Sequence, residues 1–579
     1  MKLEANTAAR PLARGVAVAL GLVLVAPAFA QVAPTRLPGQ TAQDVDPARR
    51  TPAVPPALID PSTLSVAGAC PFAGKGEVTL TRIDVTGATL VARDLIDAAV
   101  ADLLGHPADA AVLCTARDRV AAVYARQGEA LAAVDIPEQN ITAGVLTLRV
   151  TEGRVRNVVV ENAEAMGPSA ALARAYLGAI DNGGATHWSD VERAFLLARE
   201  IPGTDMRFAL RRTADGTADG LEVIATAAPR RVVDIGVGAH NLGSEELGRE
   251  NVSLRVDANS FTRFGDRTSL VLSSSLGGEQ KVAQLLEEVR MGVSGWTLFG
   301  DFAYGRSRPG GGLESLELEG HSSVARLGAR YAAVRTRALS VDSALRIDAI
   351  NQTNDLGLFR SVGLGTIPLF DEKLRVLSFE TNARWQRPTS GLAATGTFEL
   401  RKGLGIWGAS EAGDDLLSRA EARPDFVSAR LGLGARWSAR AASAASPFLA
   451  FNSAAQWSNA PLPAYEEFQA GNYTIGRGFD PGAASGDSAV AGQLEAGWDF
   501  RGGAMTSNVF AFVDVAHLWN RDDASYDATL RSIGIGARAY TRFGQLALTC
   551  AVPQTGAFPG DDKRDARVLF TFNHTFSIR

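Results

Sequence analysis

The sequence predicts a transmembrane antiparallel β-barrel of about sixteen strands preceded by two small α+β domains. Three observations carry this. From Arg230 onward helical periodicity disappears, and pieces of about ten residues alternate apolar with small or polar residues. Seven of the eight tryptophans lie in that part (Trp296, Trp385, Trp407, Trp437, Trp457, Trp498, Trp519), as interfacial girdles require. Ahead of it, residues 76–153 and 154–229 repeat one strand-helix-helix-strand-strand order. A soluble β-sandwich would alternate similarly, but one as long as residues 230–579 would be unusual.

Residues 1–30 read as a secretory signal peptide. Lys2, Arg10 and Arg14 precede an apolar run from Gly15 to Val25, and Ala28-Phe29-Ala30 forms a small-residue cleavage site. No later segment offers enough consecutive apolar residues for a membrane-spanning helix. Residues 31–75 hold eight of the 25 prolines and read as an extended linker.

At Glu77 the texture changes. Val78, Leu80, Ile83 and Val85 predict one short strand, ended by Gly87. Leu95, Ile96, Ala99, Val100 and Leu103 recur at helical spacing, and a second helix runs from about Ala110 to Arg126, closed by Gly128. Strands around Ala130–Ile136 and Val145–Val150 complete the unit. The second unit has a strand at Val158-Val159-Val160 and helices around Ala170–Ile180 and Ser189–Glu200, and Ile201-Pro202-Gly203 leads into its closing strands. In the barrel, Ile533, Ile535, Ala537 and Ala539 face one way, and Gly534, Gly536, Arg538 and Tyr540 the other. Taking roughly 22 residues for a strand and its connection gives the strand number. The last strand sets Val568, Phe570, Phe572, Phe576 and Ile578 against Thr571, Asn573, Thr575 and Ser577; Ile578-Arg579 displace the usual terminal aromatic.

Net charge is −5, which gives no reason to expect nucleic acid. The six histidines are scattered, with no HExxH and no zinc-type Cys/His spacing, so neither metal nor cofactor is expected. AGKGEV lacks the rest of a P-loop, and Gly236-Val237-Gly238 has no helix after it. No hydrolytic or redox constellation is present. Cys70 and Cys114 flank the first unit and could pair in an oxidising compartment, leaving Cys550 over; all three could equally be small buried residues.

The stretch from Glu466 to Glu495 carries the sharpest signal. Gly476-Arg477-Gly478-Phe479 sets one arginine between two glycines, where the backbone turns sharply and the guanidinium is unshielded. Such an arginine calls for a carboxylate or another planar partner. Asp514, in the strand FAFVDVAHLW, shares a face with Phe512, while Val513, Val515 and Trp519 face the other way. A lumen carboxylate is either solvated or paired.

The whole pattern E-x-F-x-x-G…G-R-G-F-x-P-G…G-D resembles the sixth extracellular loop of two-partner secretion transporters, the TpsB or hemolysin secretion/activation family, of the same superfamily as the BamA barrel-assembly proteins. Residues 76–153, with Ile136-Pro137-Glu138-Gln139 and Thr151-Glu152-Gly153, are similar to the first polypeptide-transport-associated (POTRA) domain of that family. The resemblance implies an Arg477–Asp514 ion pair inside the barrel. Phe512-Val513-Asp514 fits the family's F-x-D-x-G strand motif, with Ala516 where that motif has glycine. It implies that Pro137, Glu138 and Gln139 contact the client by β-augmentation; the bland reading is that they only shape a turn. It also implies an outer-membrane location with periplasmic POTRA domains and a monomeric barrel inserted by the barrel-assembly machinery among outer-membrane lipid. The partner would be an unfolded exported exoprotein: a cytolysin, an adhesin or another long β-helical protein. An N-terminal plug is a feature of relatives; here only Thr41–Arg50 could supply a helix, and Pro47 interrupts it. The alternatives are a BamA-like insertase, which usually carries more POTRA domains, and a passive porin, which has no use for residues 76–229.

Overall fold

A computed structural model describes residues 70, 72, 74 and 76–579, except 142, 182, 359, 361–362, 364, 388, 440–443, 472–474, 504, 522–526 and 558–563. The signal peptide, nearly all of the proline-rich linker and any plug lie outside the described residues.

The first small domain is built on a three-stranded sheet. Val145–Glu152 lies at its centre, parallel to Arg82–Thr86 on one side and antiparallel to Ala132–Asp135 on the other. Helices Arg93–Val100 and Val112–Arg126 cover one face. Alternate residues Leu146, Leu148 and Val150 are buried with Ile96, Val120, Val123 and Tyr124, because a strand presents every second side chain to the same face. The single strand expected from Val78 to Val85 is two strands. Glu77–Thr79 pairs instead with Pro107–Asp109, and the chain turns between them where the Thr81 amide bonds Gly144 O at 2.7 Å. Cys70 and Cys114 form a disulfide that ties the entering chain to the start of the second helix.

The second domain repeats the plan, with the order Arg154–Glu161, Gly220–Ala227, Met206–Arg212 and helices Ala170–Gly178 and Trp188–Arg199. Phe195 and Phe208 stack in its core at 4.2 Å between ring centroids. One residue, Gly153, separates the two sheets. A Cβ there would meet Leu221 Cδ1 at 2.6 Å and Leu131 O at 2.9 Å, so only glycine allows this approach. Leu131 of the first domain is buried in the core of the second. Glu129 also crosses: its carboxylate lies 2.6 Å from His187 Nδ1 and accepts the Trp188 amide at 3.4 Å, placing an anion at the N-terminus of helix Trp188–Arg199.

Sixteen strands then close a barrel, all neighbours antiparallel, from Val233–His240 to Arg567–Ile578, which pair with each other. Alternation sorts the residues: Leu298, Phe302, Leu327, Leu345, Val513 and Ile535 point outward and are exposed, while Arg326, Asp348, Arg401, Glu495 and Asp514 point inward and are buried. The second domain is docked on one rim. Arg193 Nη2 donates to Ser294 O and Ala332 O at 2.7 and 2.6 Å, Arg290 Nη2 donates to Glu200 O at 2.6 Å, and Arg335 Nε lies 2.8 Å from Glu200.

The hydrogen bond that His187 donates to Glu129 raises its pKa, with Asp190 and Glu152 adding smaller attractions. A raised pKa means the ion pair strengthens the joint fully below about pH 6.5 and is lost as pH rises through the raised value. The angle between the two small domains, followed by spin-label distances, should therefore spread above neutral pH. Glu129→Gln should be equally spread throughout, and an unchanged wild-type distribution from pH 5.5 to 9 would refute the link.

Candidate functional site

The eleventh and twelfth strands, Ala445–Ser458 and Ser488–Gly502, are joined by residues 459–487, the sixth connection on the rim away from the small domains. This loop turns into the lumen: Leu462, Glu466, Ile475, Arg477 and Phe479 are all buried. A short hairpin, Phe468–Ala470 with Ala484–Gly486, holds its base together. Gly476 takes φ +83°, a conformation that L side chains avoid. Gly478 serves a different need: a Cβ there would lie 2.8 Å from both Pro553 N and Ser532 Cβ of the wall. One glycine bends the tip and the other lets it touch the barrel.

The tip delivers Arg477, which is 1% exposed, onto Asp514, which is fully buried. Arg477 Nη2 lies 2.7 Å from Asp514 Oδ1, and Nε 3.0 Å from Oδ2. The same Oδ2 accepts the amides of Arg477 at 2.9 Å and Gly476 at 3.2 Å, and the Ser532 hydroxyl at 3.3 Å. Both side chain and main chain of the loop tip are thus read by one carboxylate. The Arg477 Nη1 atom bonds Glu495 at 2.6 Å, and Glu495 also accepts Arg538 at 2.7 Å and Gln493 at 2.7 Å. The guanidinium carbon lies 3.4 Å from the centroid of the Phe512 ring, a close cation–π contact. Phe479 and Ala516 belong to one apolar cluster with Ala470, Ala484 and Leu518, so the alanine standing for glycine leaves room for the loop.

The other end of the loop is anchored on strands that precede Ala445–Ser458 in the barrel. Glu466, fully buried, accepts Arg401 Nε and Nη2, each at 2.8 Å, and Arg430 Nη2 at 3.0 Å. Asp487 accepts the Leu462 amide at 2.6 Å and Arg419 Nη1 at 2.7 Å; Arg419 belongs to the preceding connection, 404–426. The first and last charges of the loop motif are therefore its base anchors. Sequence reading missed Glu495, Arg538, Arg401 and Arg430, because a polar residue facing a lumen looks the same whether solvated or paired. The usable signal was the two-residue spacing of Gln493 and Glu495 on the inward face of one strand.

Pro137, Glu138 and Gln139 lie in the first small domain, apart from this site. Proline has no N–H to continue the ladder of Ala132–Asp135 against Val145–Glu152. The Gln139 amide takes over: its Nε2 donates to Thr147 O and its Oε1 accepts the Thr147 amide, both at 2.7 Å. Glu138 stays exposed.

A closed barrel with a charged lumen, carrying small α+β domains on one rim, defines an outer-membrane transporter of the POTRA-barrel type. Residues 220–539 match the haemolysin secretion/activation protein family ShlB/FhaC/HecB, and residues 78–153 match the ShlB-type POTRA domain. The chain belongs to this haemolysin secretion/activation family, the TpsB transporters, with its barrel in the outer membrane and its POTRA domains in the periplasm. The fold is similar to that of CdiB from Escherichia coli, with TM-score 0.73 and 18% identity over 95% of this chain and 98% of that one. CdiB from Acinetobacter baumannii is similar at TM-score 0.65 and 15% identity, over 95% and 99%. No curated protein matches the chain by sequence.

Removing one partner from a buried ion pair costs about 3–5 kcal/mol. Arg477→Ala should therefore release the loop tip from the lumen. Protease added to intact cells should cut within residues 459–487 of the variant and spare the wild type; equal protection of both would show that the other anchors suffice.

Proposed function

We propose that this transporter exports one dedicated, unfolded partner protein, received in the periplasm by the POTRA domains and passed through the barrel to the cell surface. The observation that carries the reading is the tip of loop six, held deep in the lumen by Asp514 and Glu495 above a rim on which the second POTRA domain is docked. A passive pore needs neither the arm nor a loop fixed by buried charges. In the first POTRA domain, main-chain recognition falls on an open sheet edge, with Pro137 and Glu138 beside it, because the Gln139 amide is already engaged by Thr147. The client adds a strand there in extended form. Folding of the client outside the cell supplies direction, and no nucleotide is required. The barrel acts as a monomer, and its own insertion falls to the barrel-assembly machinery. The ion pair at Arg477 serves conformation, since buried pairs fix a geometry more than they stabilise it.

The test compares proteomes of supernatant, surface and outer membrane in a strain lacking this chain and in its complemented parent. Loss of one large exoprotein with other barrels unchanged supports the proposal. A general fall in barrel proteins would point to an insertase, and no protein change would leave a pore. Complementation with Arg477→Ala should cut release of that exoprotein several-fold while the heat-modifiable, folded barrel stays at wild-type level; normal release would remove the role given to Arg477.

A further inference from the structure

The outward face of the barrel carries a cluster of cations that transport does not use. In strand Trp296–Ser307 the residues Trp296, Leu298, Phe302 and Tyr304 point outward and are exposed. Trp296 packs on Tyr331 beside the periplasmic rim, and Tyr304 Oη lies 2.9 Å from His321 Nδ1 near the other end. The eight residue steps from Trp296 to Tyr304 span about 27 Å of strand, or about 20 Å of height at a tilt of about 40°. That is close to the apolar band of an outer-membrane barrel, so these aromatics mark its two interfaces. The next outward residue is Arg306. Register sets Lys281 and His321 on either side of it, and Lys281 is exposed.

Here Arg306, Arg308, Arg360 and His321 converge on a single carboxylate, Glu319. Arg306 Nη2 is bonded to it, Arg308 Nη2 lies at 3.2 Å, His321 Nε2 at 3.4 Å and Arg360 Nη2 at 3.6 Å. Glu319 is largely covered, whereas the three arginine side chains are 40–55% exposed. One carboxylate neutralises one of three guanidinium groups. Asp355 stands opposite Glu319 in register, and Glu279, whose carbonyl accepts the Arg308 amide at 2.6 Å, has its carboxylate bonded to Ser275 Oγ; among the described residues neither Asp355, Glu279, Glu314 nor Glu317 forms an ion pair with the cluster. Arg306 Nε is buried and has no partner among the described residues, so the exposed part of its side chain is what faces outward. A cationic group left over at headgroup height beside an aromatic girdle is matched by a phosphate.

We propose that this cluster binds a phosphate of an outer-leaflet glycolipid, with Arg306, Arg308 and Arg360 as the phosphate ligands, Lys281 and His321 flanking, and Tyr304 at the acyl boundary. The site holds the barrel to its lipid on the side of strand Trp296–Ser307, independently of the client. It uses the outer-membrane location and does not rest on the proposed secretion role.

Full-length protein in mild detergent would be incubated with bisphosphorylated lipid A, and retained lipid counted by native mass spectrometry. Arg306→Gln/Arg308→Gln/Arg360→Gln should retain about tenfold less than wild type, the equivalent of one charge-assisted hydrogen bond. Glu319→Gln, which removes the competing carboxylate, should retain at least as much. Heat-modifiable migration checks folding, and Arg308→Gln alone, outside the strands, should still lower retention if the triple variant fails to fold. Equal retention by the Arg308 or triple variant would overturn the proposal. So would equal binding of dephosphorylated lipid A, or release of lipid by millimolar inorganic phosphate, which would make the cluster a site for the free anion.

Discussion

A guanidinium removed from water must be met by carboxylates, and the interior of this barrel is organised around that demand at Arg477. Two carboxylates from adjacent strands, Asp514 and Glu495, meet it, and an aromatic face lies against the group from below. Everything else about the loop follows. The glycines on either side exist because the tip must bend and touch the wall. Ser532 is small where Gly478 meets the wall, and its hydroxyl adds a fourth, longer contact to Asp514 Oδ2 at 3.3 Å. Arg538 balances the charge that Glu495 would otherwise leave in excess.

The base of the loop obeys the same rule with the signs exchanged. Glu466 is the buried group there, and Arg401 and Arg430 answer it. The loop is therefore clamped by an acid at its root and a base at its tip, on two strand pairs separated in the barrel by the single strand Ala445–Ser458. Such a clamp contributes little net stability, because desolvation offsets most of the attraction, but it permits few alternative geometries. Loop 404–426 shares in it through Arg419, so two neighbouring connections are held as one body.

The fold was legible wherever periodicity is set by burial on one side only. Inward and outward residues of Ser532–Tyr540 separate as their alternation implies, and the helices of both POTRA domains fall within a few residues of their apolar spacing. Arg477 and Asp514 were legible as a pair through the resemblance of the whole loop pattern and of Phe512-Val513-Asp514 to the family's motifs, since the residues alone left Asp514 either solvated or paired. The partners Glu495 and Arg538 were not, since tertiary pairing leaves no trace in a pattern of period two. The strand Pro107–Asp109 escaped because three residues with a proline carry no alternation. Gln139 escaped for a subtler reason: its side chain imitates a backbone rung that Pro137 cannot supply.

The single residue between the two POTRA sheets has a mechanical consequence. A linker of several residues would let the first domain wander like a bead on a string. Here the chain leaves one sheet at Glu152 and enters the next at Arg154, with Leu131 already plugged into the neighbouring core. Strain applied to the outer domain is passed to the inner one as torque rather than absorbed as slack. The inner domain is bolted to the rim at Ser294 and Ala332, and the strand of Ala332 also carries Arg326, which reaches the Tyr465 hydroxyl of loop six at 3.3 Å. A tug on the first domain is therefore felt by the wall of the barrel, and the arm works as a lever.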